Sequence, residues 1–224
     1  VLVSFGKIVP QSVIDIFANG IINFHPSLLP KLRGPSPIET AILSGEHETG
    51  LTLMRLTREM DSGPILYREK ISLTGRETAS NLRSKFSQRG AQLFRDKLID
   101  LIQKNPTGTP QNAPDATFSH MITKADATLD PVTMTADEAD RRIRAFNVWP
   151  KARLNFAKTH ARFLAPFPDR EIILTDADSL KIAPGDTWPD VITFSNQTAL
   201  KINKVISPKS GKEMTMSAYL RGLK

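Results

Sequence analysis

A proline that directly follows a short apolar run places the strongest constraint on this chain. Residues 21–25 read Ile-Ile-Asn-Phe-His, and Pro26 comes next. The apolar residues predict a buried strand, and Pro26 ends it because proline has no N–H for a central ladder. Side chains alternate along a strand, so Asn23 and His25 point to the same side. Open α/β sheets bind ligands at the carboxyl ends of their strands, which is where this pair stands.

The amide and the imidazole have two interpretations. Either residue alone is more typical of a hydrogen-bonded asparagine or a core histidine beside a turn. The pair stands at a strand end and is followed by Ser27-Leu28-Leu29-Pro30. This arrangement favours a site in which a hydrogen-bond donor and a proton carrier face one ligand.

The segment from Asn23 to Ile38 resembles the signature of the folate-dependent formyltransferases. It reads Asn-x-His-Pro-Ser-Leu-Leu-Pro-x-x-Arg-Gly-x-x-Pro-Ile, and this form is most similar to that of the members that act on methionyl-tRNA. A second segment, from Met60 to Ile65, resembles the family motif that supplies an acid, here Asp61. Without the resemblance, an Asp before Ser-Gly is typical of a turn in which the side chain caps its own backbone.

The resemblance implies transfer of a formyl group from 10-formyltetrahydrofolate to the amino group of methionyl initiator tRNA, with no metal. The implied catalytic residues are Asn23, His25 and Asp61. The Asn23 amide can donate to the formyl oxygen as that oxygen becomes negative. His25 can donate to the same oxygen or move a proton. Asp61 can orient the imidazole and hold a water that relays the proton of the attacking amine.

Loops at the predicted strand ends resemble the folate contacts of the family. The segment from Ser4 to Pro10 resembles the one whose backbone holds the pterin ring, although an ordinary βα loop explains the same residues equally well. We expect the pterin between this loop and the one from Leu56 to Asp61. The implied folate-binding residues are Phe5, Gly6, Ile8, Ser27, Leu28, Leu29, Pro30 and Leu56.

Composition narrows the class of protein. The formal net charge of +7 permits a polyanionic partner such as tRNA, although the basic excess is spread along the chain. The absence of cysteine excludes disulfides and thiolate metal sites. The sequence contains no apolar run of about 18 residues, so we predict no transmembrane helix. We expect a monomer in the cytoplasm.

Helix signals organise the middle of the chain. Thr78 to about Lys104 has the apolar spacing of a long helix, in which Gly90 marks either close packing or a break. Residues 105–130 are rich in Pro, Thr, Asn and Asp and predict a linker. Two capping boxes predict further helix starts, Ser36 with Glu39 and Thr135 with Glu138.

Short alternating strands follow and are typical of a small barrel. They are predicted at Ala152–Phe156, Ala161–Leu164, Ile172–Leu174, Leu180–Ile182, Val191–Ser195 and Leu200–Val205. The segment from Ile143 to Pro150 resembles the start of the family's C-terminal domain, with Val148 where proline is usual. We therefore predict an α/β chain. A partial Rossmann-like formyltransferase domain with a parallel-type sheet spans residues 1–124, and an OB-like β-barrel domain spans residues 125–224.

The resemblance also implies tRNA binding through phosphate groups. The implied residues are Arg33, Arg144, Lys151, Arg153, Lys204, Lys209 and Lys212. Since the chain begins at Val1 inside a predicted strand, we expect an N-terminally truncated sequence. Two alternatives remain at this stage. One is a formyltransferase acting on a nucleotide-linked aminosugar, and the other is a non-catalytic RNA-binding fragment that uses the barrel alone.

Overall fold

The computed structural model describes residues 1–3, 5, 7–155, 171–181 and 190–222. The predicted strand Ala161–Leu164 lies outside these ranges, as do Phe156 and Ile182 at the ends of two other predicted strands. The chain divides into two compact units, Val1–Ile122 and Thr123–Lys224, each of which has its own sheet. Within the described ranges, no helix combines the length and the apolar character needed to span a membrane.

The first unit is built on a four-stranded sheet in the order β1-β2-β3-β4. The strands are β1 (Leu2–Val3), β2 (Ile22–His25), β3 (Glu48–Arg55) and β4 (Ile65–Ser72), and the helices are α1 (Gln11–Ile14), α2 (Pro37–Leu43) and α3 (Ala79–Lys104). The α/β class is confirmed. The parallel-type sheet is wrong beyond the first pair, because β3 runs antiparallel to β2 and then forms a hairpin with β4.

Burial explains which strands form the centre of this sheet. All four residues of β2 are buried, and so are the six central residues of β3. Strand β4 contains three consecutive charged residues, Arg68 to Lys70, and only its Ile71 is buried; it forms one end of the strand order, which suits a solvated edge. The polar side chains of β2 are therefore held in the interior of the unit.

Helix α3 packs closely on β2. Thr78 caps its start by accepting a hydrogen bond from the Asn81 N–H, and the left-handed Asn105 ends it. A β-carbon added at Gly90 would lie 2.8 Å from the ring of Phe24, so the glycine allows the helix to approach the strand. Of the two interpretations of Gly90, close packing is the one observed.

The two predicted capping boxes have different outcomes. Thr135 and Glu138 form the reciprocal pair of hydrogen bonds at the start of the helix that follows. Ser36 stands at the N-cap of α2 but makes no side-chain cap bond. Glu39 forms an ion pair with Arg83 of α3 instead, so the prediction of a capping box at Ser36 is wrong.

The second unit contains a six-stranded sheet in the order β10-β9-β7-β6-β5, with β8 also paired to β9. Its strands are β5 (Thr128–Leu129), β6 (Arg153–Asn155), β7 (Glu171–Lys181), β8 (Val191–Phe194), β9 (Thr198–Ile206) and β10 (Glu213–Thr215), and its helices are α4 (Ala136–Ala145) and α5 (Met216–Arg221). Two of the predicted short strands are one long strand, β7, whose pairing is shifted by irregularities between Leu174 and Ala177. The core includes Ile143 of α4 packed with sheet residues such as Leu154 and Leu200.

Candidate active site

Strand β2 places the two polar residues of the first motif in the interior. Asn23 is 8% exposed and His25 is 4% exposed. They occupy alternate positions of the same strand, as the sequence predicted, and so share one face. Burying an amide and an imidazole is costly unless both find hydrogen-bond partners.

The imidazole of His25 lies between a carbonyl and a carboxylate. Its Nε2 is 2.9 Å from the Leu32 carbonyl oxygen, which can only accept, so Nε2–H is the donor. The Nδ1 atom is 3.6 Å from Oδ2 of Asp61. Burial lowers the pKa of His25 below 6.5, and this effect outweighs the nearby Asp61 charge and the Leu32 hydrogen bond, which raise it. Neutral His25 therefore keeps an unprotonated Nδ1 facing Asp61.

The carboxylate of Asp61 joins the two motifs. Its Oδ2 accepts a hydrogen bond of 2.8 Å from the backbone N–H of Gly34. Its Oδ1 lies 3.5 Å from the side-chain Nδ2 of Asn23, a long contact. Asp61 thus contacts both motif residues of β2 and the loop behind them, rather than capping its own backbone as an ordinary turn aspartate would.

Asp61 does not reach His25 from a neighbouring parallel strand, as a parallel sheet would require. In an all-parallel sheet, His25 and the loop after β3 would share an edge. Here the end of β3 is opposite the start of β2, since Arg55 pairs with Ile22. The bond from the Arg55 N–H to the Pro64 carbonyl, at 2.9 Å, closes the loop, and the Gly34 N–H ties Asp61 to the turn after β2. Gly63 permits this tight turn, because an added β-carbon would lie 1.8 Å from the Arg55 carbonyl oxygen.

The structure adds Gln111 to the site, a residue that the motifs did not indicate. Its side-chain Nε2 donates hydrogen bonds of 2.8 Å to the carbonyl oxygens of Asp61 and Gly63. Its Oε1 accepts from Nε and Nη2 of Arg33 at 3.0 and 2.7 Å. Gln111 belongs to the predicted linker, 50 residues beyond Asp61 in sequence, so no local pattern could connect the two.

The predicted folate-binding residues differ in their exposure to solvent. Ser27 is 1% exposed and donates to the Lys31 carbonyl at 2.6 Å, while Leu29 is 0% exposed. Both support the shape of the turn. Leu28 and Pro30 line a pocket of about 630 Å³ together with Lys31, Glu48, Arg68, Lys70 and Asp115. Phe5 and Ile8 are exposed, Leu56 is partly exposed, and Gly6 lies outside the described residues.

This pocket does not include the polar cluster formed by Asn23, His25 and Asp61. Its lining combines three cationic side chains, two carboxylates, of which that of Glu48 pairs with Lys70, and the partly exposed Leu28 and Pro30. The exposed and partly exposed members of the predicted folate set are accessible, whereas the Ser27 and Leu29 side chains are buried.

Arg33 differs from the other residues predicted to bind tRNA. It is 8% exposed, and its guanidinium is engaged by Gln111. A phosphate-binding arginine must be accessible to the nucleic acid, so this burial argues against the prediction for Arg33. We assign it a supporting position behind the Asp61 loop instead.

The remaining cations predicted to bind tRNA lie in the second unit. Arg144 pairs with Asp140 and Arg153 pairs with Glu171, both at 2.9 Å. Lys204 is 3.8 Å from Glu213. Lys209 and Lys212 are exposed, and Lys151 is partly exposed. The most accessible positive charges of the set are therefore those of the β9–β10 hairpin, where Lys204, Lys209 and Lys212 stand.

Among the described residues, no group of three or more His, Asp or Glu side chains is arranged to hold a metal ion. The polar cluster consists of one amide, one imidazole and one carboxylate. These groups can donate to a carbonyl oxygen, accept a proton and stabilise the resulting positive charge.

Both units match known protein families. The family described as "Formyl transferase" matches residues 1–98, and the one described as "Formyl transferase, C-terminal domain" matches residues 121–224. A methionyl-tRNA formyltransferase of Bacillus cereus strain B4264 is 34% identical over 224 residues, which is 100% of this chain and 70% of that protein.

Solved structures show the same fold at lower sequence identity. An N-formyltransferase from Helicobacter canadensis, in complex with folinic acid and dTDP-3-aminofucose, has a TM-score of 0.67 at 20% identity, covering 88% of this chain and 70% of its own. A methionyl-tRNA formyltransferase from Clostridium thermocellum has a TM-score of 0.57 at 20% identity, covering 81% of this chain and 71% of its own.

Proposed function

The chain belongs to the formyltransferase family, and we propose that it transfers a formyl group from 10-formyltetrahydrofolate to the amino group of methionyl initiator tRNA. The curated relatives at 33–34% identity carry the name methionyl-tRNA formyltransferase. The aminosugar-binding structure is less similar in sequence, at 20% identity.

One observation in the structure carries the proposal. Asn23, His25 and Asp61 come from two separate motifs, yet the Asp61 carboxylate is 3.5 Å from the Asn23 amide and 3.6 Å from the His25 imidazole. A structural aspartate in a tight turn would bond locally. This one joins the only two polar side chains of a buried strand, an arrangement that acyl-transfer chemistry can use.

Asn23 is the proposed donor to the formyl oxygen. As the amine attacks, this oxygen gains negative charge, and a donor fixed in advance stabilises it without reorganising. The amide of Asn23 has two N–H bonds, one of which is directed to Asp61. The other is the one that we assign to the formyl oxygen. Its fixed orientation follows from its place in the interior of the sheet.

His25 and Asp61 are the proposed proton-handling pair. The attacking amine must lose a proton, and the unprotonated Nδ1 of His25 is the basic atom in the cluster. Once Nδ1 is protonated, the carboxylate of Asp61 at 3.6 Å stabilises the imidazolium. The Gly34 N–H holds the carboxylate in place during this step. Because Nδ1 and Oδ2 are only 3.6 Å apart, a water that relays the proton would contact both atoms from one side rather than lie between them.

The formyl carbon is bonded to a nitrogen of the folate. As the acceptor amine forms its bond to this carbon, the bond to the folate nitrogen breaks, and the departing nitrogen takes up a proton. Leu28 and Pro30 are the proposed contacts on the turn after β2, with Leu56 on the loop before Asp61. The exposed Phe5 and Ile8 are proposed to contact the pterin from the loop after β1. These residues bind and orient the donor, while Asn23, His25 and Asp61 carry out the transfer.

The tRNA is proposed to bind the second unit through its phosphates. Lys204, Lys209 and Lys212 are the accessible members of the predicted set, joined by Lys151, Arg144 and Arg153. Phosphate contacts position a nucleic acid without reading its sequence. We further propose that the enzyme is a monomer and acts in the cytoplasm, where charged tRNA is used.

A comparison of two acceptors tests the proposed substrate. The protein would be supplied with 10-formyltetrahydrofolate and either methionyl initiator tRNA or a nucleotide-linked 3-aminosugar, and formylated product would be quantified. Formylation of the tRNA at a kcat/KM far above that of the aminosugar supports the proposal. Preference for the aminosugar would reassign the substrate. Binding of tRNA without formylation of either acceptor would indicate a non-catalytic RNA-binding protein.

A further inference from the structure

The segment after α3 is bonded to both loops that carry the site. Thr109 exchanges backbone hydrogen bonds of 2.8 and 2.9 Å with Ile65, just beyond the Asp61 loop. Arg33 donates its backbone N–H to Thr117 at 2.9 Å and accepts from the Ser119 N–H at 2.7 Å. A stretch predicted as a linker therefore connects the turn after β2 with the loop after β3.

Gln111 lies between these two attachments. Its amide contacts both loops at once, since Oε1 accepts from the Arg33 guanidinium and Nε2 donates to the Asp61 and Gly63 carbonyls. A guanidinium can only donate, so the Arg33 side chain must face the amide oxygen of Gln111. This fixes the orientation of the amide and directs both of its N–H bonds at the Asp61 loop.

We propose that Gln111 is a positioning residue, which holds the Asp61 carboxylate against His25 by fixing the backbone of the Asp61 loop, with Arg33 as its anchor. The inference rests on the proposed function, in which Asp61 stabilises protonated His25. Gln111 does not touch the reacting atoms. It acts only through Asp61.

The backbone of Asp61 explains why such support is needed. Asp61 has a φ of 49°, in the left-handed region that residues other than glycine rarely adopt, although aspartate is among those that tolerate it best. A strained residue persists only where its surroundings over-determine its conformation. The two hydrogen bonds from Gln111 hold the backbone carbonyls of Asp61 and Gly63, and the Gly34 N–H holds the Asp61 carboxylate. Without Gln111, the loop can relax and the carboxylate can move away from Nδ1.

Two variants at position 111 distinguish hydrogen bonding to the Asp61 loop from a role of the side chain in packing alone. Gln111→Ala removes both sets of hydrogen bonds. Gln111→Glu keeps the size and the acceptor for Arg33 but removes both N–H donors to the loop. Gln88→Ala is the control, because Gln88 is an exposed glutamine on α3 whose side chain bonds only to Ser84 among the described contacts. Asp61→Asn marks the effect of losing the carboxylate charge itself.

Two readouts are measured on folded protein, namely the kinetics of formyl transfer and the pKa of His25 from NMR titration of its ring protons. We expect both position-111 variants to lower kcat by about 10- to 100-fold, the scale of a displacement of about 1 Å, with little change in KM for tRNA. The pKa of His25 should fall further in Gln111→Ala, because the Asp61 charge that raises it moves away. In Gln111→Glu the added carboxylate opposes this fall, so kcat is the readout for that variant. Gln88→Ala should change neither quantity.

The outcomes distinguish this inference from the function on which it rests. If Asp61→Asn is strongly impaired while Gln111→Ala matches the control in kcat and in His25 pKa, and Gln111→Glu matches it in kcat, the positioning role is overturned and the catalytic assignment stands. If Asp61→Asn is fully active, the catalytic assignment fails, and the His25 pKa still decides whether Gln111 positions the carboxylate. Normal behaviour of Gln111→Glu beside an impaired Gln111→Ala would reduce Gln111 to a packing role.

Discussion

The Asp61 carboxylate lies 3.6 Å from Nδ1 of His25, although the strands that lead to the two residues run in opposite directions. The side chain of His25 is 5% exposed and that of Asp61 is 13% exposed, so the pair interacts with little screening by solvent. Burial keeps the pKa of His25 below its usual value while Asp61 opposes this shift. The imidazole is therefore neutral at pH 7 and can accept a proton beside a carboxylate.

The pH dependence of the rate should report this balance. We expect the acid limb of kcat/KM to lie below pH 6.5, because only neutral His25 accepts the amine proton and its pKa is lowered by burial. In Asp61→Asn the limb should move to still lower pH, because the charge that raises the pKa is lost. The measurement is a pH–rate profile of both proteins under single-turnover conditions. An acid limb above pH 6.5, or a shift to higher pH in Asp61→Asn, would contradict the account.

The same group affects stability, and the sign follows from proton binding. Unfolded His25 titrates near pH 6.5 and the folded residue below it, so the unfolded state binds more protons in this window. The free energy of unfolding should therefore fall as the pH drops below 6.5. Urea melts across this range should show a smaller pH dependence for His25→Gln than for the unaltered protein. Equal slopes would show that the folded His25 pKa is not lowered.

Loss of the Asn23 amide should act on the transition state. We expect Asn23→Ala to lower kcat by about 10²- to 10³-fold, the effect of removing one donor to an oxyanion. Combined with His25→Ala, the loss should be far from additive, because both residues serve one transition state. The rates of the two single variants and the double variant test this. Multiplicative effects would indicate that the two side chains act independently.

Much of the site could be predicted from one sequence, for identifiable reasons. Alternation along a strand placed Asn23 and His25 on one face, and a long motif connected Asp61 to them. Strand direction was not predictable, because a buried apolar strand such as β3 has the same composition whichever way it runs. Gln111 was missed because its partners are tertiary and lie 48 and 50 residues earlier in the chain.

The capping boxes also show that a local pattern cannot predict tertiary contacts. Thr135 and Ser36 both precede a Glu three residues later, yet only Thr135 forms the box. At Ser36, the ion pair of Glu39 with Arg83 competes with the local bond. A local pattern thus predicted the start of each helix correctly, and a distant charge decided which hydrogen bonds formed there.

Gly90 should tolerate no side chain. At a solvent-exposed position inside a helix, Gly→Ala raises the free energy of unfolding by up to about 1 kcal/mol. At Gly90, a methyl group would lie 2.8 Å from the Phe24 ring, so we expect a net loss of about 1–3 kcal/mol from overpacking. Urea unfolding of Gly90→Ala measures this, with the exposed Ser87→Ala on the same helix as the control. A gain in stability at position 90 would contradict the close contact between α3 and β2.

Binding of tRNA should depend strongly on salt. Each phosphate contact adds about 0.9 to the slope of log affinity against log salt concentration. We expect the double variant Lys209→Ala/Lys212→Ala to weaken tRNA binding and to reduce this slope by about two. Lys85→Ala, an exposed lysine of α3, is the control and should leave the slope unchanged. A slope of the double variant equal to that of the control would exclude these two lysines from the tRNA interface.

The single-turnover rate of His25→Ala, compared with that of the unaltered enzyme, tests the central claim most directly. Both proteins would be saturated with 10-formyltetrahydrofolate and methionyl initiator tRNA, and the rate would be expressed per folded molecule. A positioned base contributes on the order of 10²- to 10⁴-fold, so we predict a fall of that size with nearly unchanged tRNA affinity. A near-normal rate on a destabilised fold would contradict the claim, because it would make His25 a structural residue of the core.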